Sequence, residues 1–483
     1  MRTAHSHAPD TPAPDTPAPR RPAATLAVTA AATTLALMNY TAPMLTLPAT
    51  AEAFGTPPSA QAWLLNGTPL GLAALLLVAG ALADAHGRRR VFLLGTLALG
   101  VTTALGALAG TTALFTAARI AQGAASAAIL AGSLGLLADA YPSGRDRIRA
   151  TGAWGASVSA GIALGPLLAA VLSLADWRLA YLALGAATLA TAVTGARTLT
   201  PPRAGGGGDP ASTPPGSGGG PAPSPAGRAG GGGRPDLAGA TTLALALGAL
   251  LTALTLGRDG WLRPAVGALL LASAVLLALF VAVERRRKDP MIDLGLLRRP
   301  AFRASTVGAL FTGLAVIGLF SVLPSLLMRG QGVAPLAAAG LFVLWSGTSF
   351  VVALQARRLA GRISAPYQLA LGFVLSAAGV LPLLGTVDAP AVPWPRLMAG
   401  LVVAGAGSGL LNAALPRLAV DSVPPERAAM GSGANNTARY IGSAAGVALM
   451  LALSATDPDT AFAASAALAL AGAALTVAGS PRR

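Results

Sequence analysis

The sequence predicts an all-α integral membrane protein of fourteen transmembrane helices, two six-helix bundles with two additional helices between them. Three observations lead there. Of 483 residues, 54% are hydrophobic and 11% charged, with a mean hydropathy of +0.64, whereas soluble domains carry about 25% charged residues. The apolar residues fall in runs of about 20, the length that crosses a bilayer. The basic residues, 33 Arg and one Lys, sit mostly where those runs end, as topology signals do.

Residues 1–24 contain PDTPAPDTPAP followed by Arg20 and Arg21, and are expected to form a disordered cytoplasmic tail. The arginine pair is not read as a twin-arginine signal, because Pro22 and a full-length apolar segment follow. The first bundle, residues 25–198, carries spans at about 25–48, 60–83, 91–110, 112–139, 151–173 and 178–198. Residues 199–236 are dominated by Gly and Pro and lack GK[ST], so they read as a flexible cytoplasmic linker and not a phosphate loop. The additional helices occupy 237–284, at about 237–256 and 262–284. A basic cytoplasmic loop, 285–303, leads into the second bundle, 304–479, with spans at about 304–328, 333–354, 366–386, 396–416, 429–453 and 460–479. Residues 480–483 form a short cytoplasmic tail.

Fourteen spans put both termini on one side, and the charges test that count. With the N-terminus cytoplasmic, inside segments collect 27 basic residues and outside segments five, while Arg119 and Arg439 fall within spans. A miscounted helix would invert the bias in every later loop. Trp63, Trp177, Trp261 and Trp394 fall near the outer ends, as an aromatic belt would. The net charge of +16 is therefore a topology signal; with no basic helix and no stacking aromatics, nucleic-acid binding is not expected. The absence of Cys removes thiol catalysis and thiolate metal sites.

The strongest local pattern is GALADAHGRRR, residues 80–90, after the second span. Gly80 permits close helix approach, Asp84 stands at the helix end, Gly87 lets the chain reverse, and Arg88 and Arg89 hold the turn on the cytoplasmic side. In span four, RIAQG places Arg119 and Gln122 inside the membrane, where an arginine is costly unless it faces a cavity or partner. Span five carries Gly161, Gly165 and Pro166 in a stripe of small residues, and span thirteen repeats the device at Gly442 and Gly446, with Arg439 near mid-bilayer.

These residues resemble the major facilitator superfamily. Its signature loop G-x-L-a-D-r-x-G-r-[kr] is matched at residues 80–89 except for Ala85, and segment 119–123 is similar to its R-x-x-q-G. Residues 161–166 are similar to the G-x-x-x-G-P motif of its exporters. The layout of six, two and six helices, the run VERRRKDPMIDLGLLRRPAF (283–302) and GSGANNTARYIGSAAGVAL (431–449) resemble its fourteen-helix drug:proton antiporter branch. The segment around Arg357, Gly361 and Arg362 looks like a degenerate second copy of the signature loop, as two related halves would give. The resemblance implies a major-facilitator-type fold and a gate in which Asp84 packs near the start of helix thirteen, around residues 428–433. Asp139, at the cytoplasmic end of span four, is placed to pair with Arg88 or Arg89.

One departure matters. The first span in that branch commonly reads L-D-x-T-x-V-N-V-A-L-P; here MNYTAPMLTLP puts Asn39 at the Asp position. None of the 18 acids lies in the middle of a span, so the usual proton-carrying group is missing. Coupling would then use a peripheral acid such as Asp139 or Glu52, or a proton on the substrate.

An intramembrane enzyme is not expected, because no His lies in a span and no paired Asp cluster exists. GAGSG at 405–409 mimics a nucleotide fingerprint but lies within an apolar span, where it reads as packing. The expected function is export of small amphipathic molecules by alternating access in the cell membrane, with no metal or cofactor and the proton gradient as driving force. Expected partners are the substrate, protons and the bilayer, with the chain a monomer. An importer or uniporter of a neutral solute and a transport-inactive sensor are the alternatives. The expected pathway comprises Asn39, Tyr40, Asn66, Arg119, Gln122, Asn412, Asn436 and Arg439. Its fixed charge is positive, which favours neutral or anionic cargo over lipophilic cations.

Overall fold

The structure is a computed structural model that describes residues 22–141, 144–199, 237–257, 260, 262–286, 294–359, 363–423 and 428–478. The expected tail and linker lie almost wholly outside these residues. Among the described residues all regular structure is helical. Thirteen helices among the described residues are long and apolar enough to cross a membrane. The remaining expected span is helical over the 20 residues Leu237–Leu256.

The first half begins with α1 (Pro22–Thr41) and α2 (Pro43–Ala53), which together form one broken span. The break falls at Ala42 because Pro43 has no N–H to continue the ladder. Then come α3 (Gln61–His86), α4 (Arg88–Ala107), α5 (Thr112–Ala140), α6 (Gly144–Leu172) and α7 (Trp177–Thr198). The turn from α3 to α4 is a single residue, Gly87, at φ +93°, a backbone that side chains other than glycine's adopt only with strain. Thr111 caps α5 by accepting from Leu114 N, and Asp176 caps α7 by accepting from Arg178 N.

The two central helices are α8 (Leu237–Leu256) and α9 (Pro264–Arg286). The second half comprises α10 (Pro300–Phe311), a π-helical segment (Thr312–Ile317), α11 (Gly318–Gly330), α12 (Pro335–Leu359), α13 (Ala365–Val380), α14 (Trp394–Asp421), α15 (Ala428–Ser454) and α16 (Pro458–Ala478). The first span of this half, Pro300–Gly330, is again irregular at its middle.

The halves repeat one packing scheme. In each, the second and third helices pack on the fourth (α3 and α4 on α5; α12 and α13 on α14), and the third packs on the sixth (α4 on α7; α13 on α16). The first packs on the fifth, α1 on α6 and α10 with α11 on α15. Contacts between halves are reciprocal: α3 meets α15, α6 meets α12, and α2 meets α11. That is the pattern of two repeats related by a two-fold axis. α8 pairs with α9 and lies on α3 and α15, at the seam. Large apolar side chains face outward on α4 (Leu94, Leu105) and on α9 (Leu271, Val275), as helices against lipid require. The protein is a multi-pass membrane protein with the all-helical architecture read from the sequence.

Candidate functional site

Close helix approach builds the site. A Cβ on Gly71 of α3 would collide with the Ile120 carbonyl of α5, and one on Gly123 with the Thr68 carbonyl of α3. Glycine at both positions lets the two backbones meet, as small residues do in membrane helix pairs. On the other side of the bundle, Gly161 and Gly165 of α6 seat against Thr34, Leu37, Met38 and Thr41 of α1. This clamps α1 and α3 around the middle of α5, where Arg119 stands.

Arg119 is wholly buried. Its Nη1 donates to the Asn39 carbonyl at 2.8 Å, to Asn39 Oδ1 at 2.5 Å and to Gln122 Oε1 at 2.7 Å; Nη2 reaches the Tyr40 carbonyl at 3.5 Å. Its Nε has no hydrogen-bond partner. Asn39 Nδ2 donates to Thr103 Oγ1, and Gln122 Nε2 donates to the Thr102 carbonyl at 3.1 Å. Thr68 Oγ1 donates to the Arg119 carbonyl at 3.2 Å. One network thus joins α1, α3, α4 and α5, and every acceptor around the guanidinium is neutral.

Tyr40, the next residue, faces the other half. Its hydroxyl lies 2.9 Å from Ser443 Oγ on α15, and its ring meets Tyr440 edge-on at 6.0 Å. The Arg439 guanidinium lies 5.5 Å over the Tyr440 ring, with its Nε unpartnered. Asn66 on α3 donates to the Ala444 carbonyl at 3.0 Å and to Thr255 Oγ1 of α8 at 3.4 Å, while its own Oδ1 is buried without a partner. Tyr40, Met44, Leu65, Pro69, Ser321 and Val447 line a narrow crevice of about 10 Å³ between the halves, little more than a water molecule wide. Near the end opposite the arginine-rich turn, Arg329 Nη1 of α11 donates to Gln61 Oε1 of α3 at 2.8 Å and ties the halves together.

The expected pathway residues therefore divide. Asn39, Arg119 and Gln122 form the network inside the first half, Tyr40, Asn66 and Arg439 mark the seam, and Asn412 and Asn436 join neither group. Asn412 makes only long contacts to Ser349 and Ser408, at 3.4 and 3.5 Å, and Asn436 returns to the Ser432 carbonyl of its own helix. Neither Arg119 nor Gln122 opens on a cavity in this conformation, because the α1 and α3 contacts close over them.

At the signature loop, Arg88 donates to Asp139 Oδ1 at 2.9 Å and to the Gly135 carbonyl at 3.3 Å. Arg89 instead caps the end of α7 through the Leu199 and Ala196 carbonyls, at 2.9 and 3.0 Å. Among the described residues, a Cβ on Gly80 would meet nothing within 4 Å. The Asp84 side chain and residues 424–427 lie outside what is described, and with them the expected contact of Asp84 with the start of α15. Gly442 and Gly446 do pack closely, against Leu310, Gly313, Leu314 and Gly318. Pro166 lies within α6, one residue past the Gly165 contact. GAGSG is packing: Gly405 and Gly409 seat on Trp345 and Ser349 of α12, and Gly407 on α13.

Several residues escape sequence reasoning. Thr68, Thr102 and Thr103 complete the Arg119 network but look like any helical threonine. Phe320 stacks on Trp345 at 4.5 Å in an apolar crevice of the second half, where the buried Trp345 Nε1 lacks a partner. An indole inside a span is the signal that would have found it.

The profile of the Major Facilitator Superfamily matches residues 29–229 and 237–447. The chain is 30% identical over 432 residues to a puromycin resistance protein of Streptomyces alboniger, covering 88% of this chain and 80% of that one. It is 30% identical over 443 residues to a probable actinorhodin transporter of Streptomyces coelicolor, covering 88% and 71%. It is 29% identical over 410 residues to the multidrug resistance protein Stp of Mycobacterium tuberculosis, covering 84% and 70%.

Proposed function

The chain belongs to the Major Facilitator Superfamily, and on that premise we propose that it exports small amphipathic molecules across the cell membrane by alternating access between its two halves. The observation that carries this reading is the contrast between contacts within and between halves. Within each half, glycine-mediated backbone crossings such as Gly71 on Gly123 and Gly442 on Leu310 lock the helices. Across the seam described here, the polar ties are single hydrogen bonds: Tyr40 to Ser443, Asn66 to Ala444 and Arg329 to Gln61. The two neutral bonds contribute about 0.5–1.5 kcal/mol each and the charged Arg329 bond about 1.5–3 kcal/mol, few enough that the halves can rock while each stays rigid. Export as the direction is supported by relatives named for drug and antibiotic resistance.

Both termini are cytoplasmic in this reading, so the Arg88–Asp139 pair lies inside and the Arg329–Gln61 tie closes the outer gate. The transmembrane proton-motive force drives export, the chain works as a monomer, and it carries out no catalysis. A susceptibility panel in an exporter-deficient host tests the proposal. Expression should raise the inhibitory concentration of at least one class of amphipathic antibiotic fourfold or more. Unchanged susceptibility across the panel, with the protein in the membrane, would count against export.

A further inference from the structure

We infer that the cargo is an amphipathic anion whose charge offsets the positive field that Arg119 and Arg439 set up on either side of Tyr40. The inference rests on the export reading and names the substrate class of that same site. Arg119 is wholly buried, its four acceptors are neutral, and its Nε has no partner. Arg439 has neither a hydrogen bond nor an ion pair among the described residues and rests on the Tyr440 ring. Tyr40 links them, its carbonyl within reach of Arg119 and its ring against Tyr440.

No described carboxylate balances these charges. Glu284, buried on α9, lies one turn beyond Phe280 and Val281, which cluster with Leu243 and Leu247 of α8, Leu77 of α3 and Ile441 of α15, and among the described residues it forms no ion pair with Arg119 or Arg439. Asp84 is seventeen residues along α3 from Gly67, which abuts Arg119, a helical distance of about 25 Å. Two unbalanced cations at membrane depth are costly, and a third brought by the cargo would add to that cost. An anion would offset it. The adjoining crevice, closed to anything larger than water in this conformation, has a wall of matching chemistry: Met44, Leu65, Pro69 and Val447 are apolar, and Tyr40 and Ser321 carry hydroxyls.

The assignment also explains how export proceeds without an acid in the described pathway. An anion leaving a cell that is negative inside moves down the electrical gradient. Each 100 mV sustains about a 50-fold concentration ratio for a monovalent anion, the equivalent of about 2.3 kcal/mol. The electrical part of the proton-motive force is then sufficient, and no side chain need carry the proton.

The test uses the full chain in liposomes under a potassium-valinomycin potential, with the anionic probe anilinonaphthalene sulfonate and the cationic probe ethidium. The expected result is anion movement at least tenfold above protein-free liposomes, accelerated by a potential that draws the anion, with ethidium at the protein-free rate. Arg439→Gln should lower anion movement about tenfold and Arg439→Lys should restore it to within about threefold. A misfolded Gln variant would not mimic that rescue. Ethidium movement equal to that of the anion, or an unchanged rate in Arg439→Gln, would overturn the charge assignment and leave the export reading standing. Movement of neither probe would take both readings down.

Discussion

Asn39 stands between a guanidinium and a hydroxyl, accepting from Arg119 through Oδ1 and donating to Thr103 through Nδ2. An amide is the side chain of this size that does both; a carboxylate would balance the charge but would lose the donor. Asn39→Ala removes an acceptor from a buried cation, where such a bond is worth about 1.5–3 kcal/mol. The expected outcome is a clear drop in the thermal unfolding midpoint of the detergent-purified protein. Asn412→Ala loses only contacts at 3.4 and 3.5 Å, the outer limit of hydrogen-bond geometry, and should cost under about 1 kcal/mol. Equal midpoints for the two variants would contradict the network. Asn39, Arg119 and Gln122 each stand out in the sequence, but their union does not, because it depends on where α1 crosses α4 and α5. The threonines are silent for another reason. Thr96 and Thr188 bond the carbonyl four residues back, at 2.8 and 2.7 Å, and Thr103 does the same to Leu99 while also accepting from Asn39.

Between elements, glycine decides how near two helices come, and the consequence differs by position. Gly123→Ala would push a methyl into the α3 backbone at Gly71 and Leu72. Overpacking of this kind costs about 1–3 kcal/mol. Gly80→Ala meets no described atom within 4 Å in a helical backbone and should gain about 0.5–1 kcal/mol from reduced unfolded-chain freedom. Thermal midpoints of the two variants should therefore move in opposite directions, and a fall for both would contradict the packing described. Hydropathy made the spans legible, because a bilayer imposes length and composition together. The irregular middle of the first span in each half was not legible. The break at Pro43 and the π-helical segment Thr312–Ile317 sit inside continuous apolar runs, which hydropathy averages away. Gly161 and Gly165 could be read as a contact stripe, whereas Gly313 and Gly318 gain meaning only opposite Gly442 and Gly446.

At the scale of the molecule, the reciprocal meetings of α3 with α15 and α6 with α12 make the seam between halves the place where motion is concentrated. Orientation is testable because the chain contains no Cys. His86, exposed at the end of α3, and Ala175, exposed between α6 and α7, lie at opposite ends of the bundle. Single Cys variants there should react with an impermeant thiol reagent from the cytoplasm and from the exterior, respectively; the reverse result would invert the topology. Thr56, buried and bonded to Thr112 at 2.6 Å, is a poor labelling site although its loop would suggest otherwise.

The most direct test of alternating access is to lock its outer gate. Gln61 and Arg329 touch across the halves, so a Gln61→Cys, Arg329→Cys pair can be joined with a short cleavable bifunctional thiol reagent in cells that export a drug identified in the susceptibility panel. Joining should lower efflux of that drug at least tenfold, and cleaving the linker should restore it. Undiminished efflux with the gate joined would contradict transport through this seam.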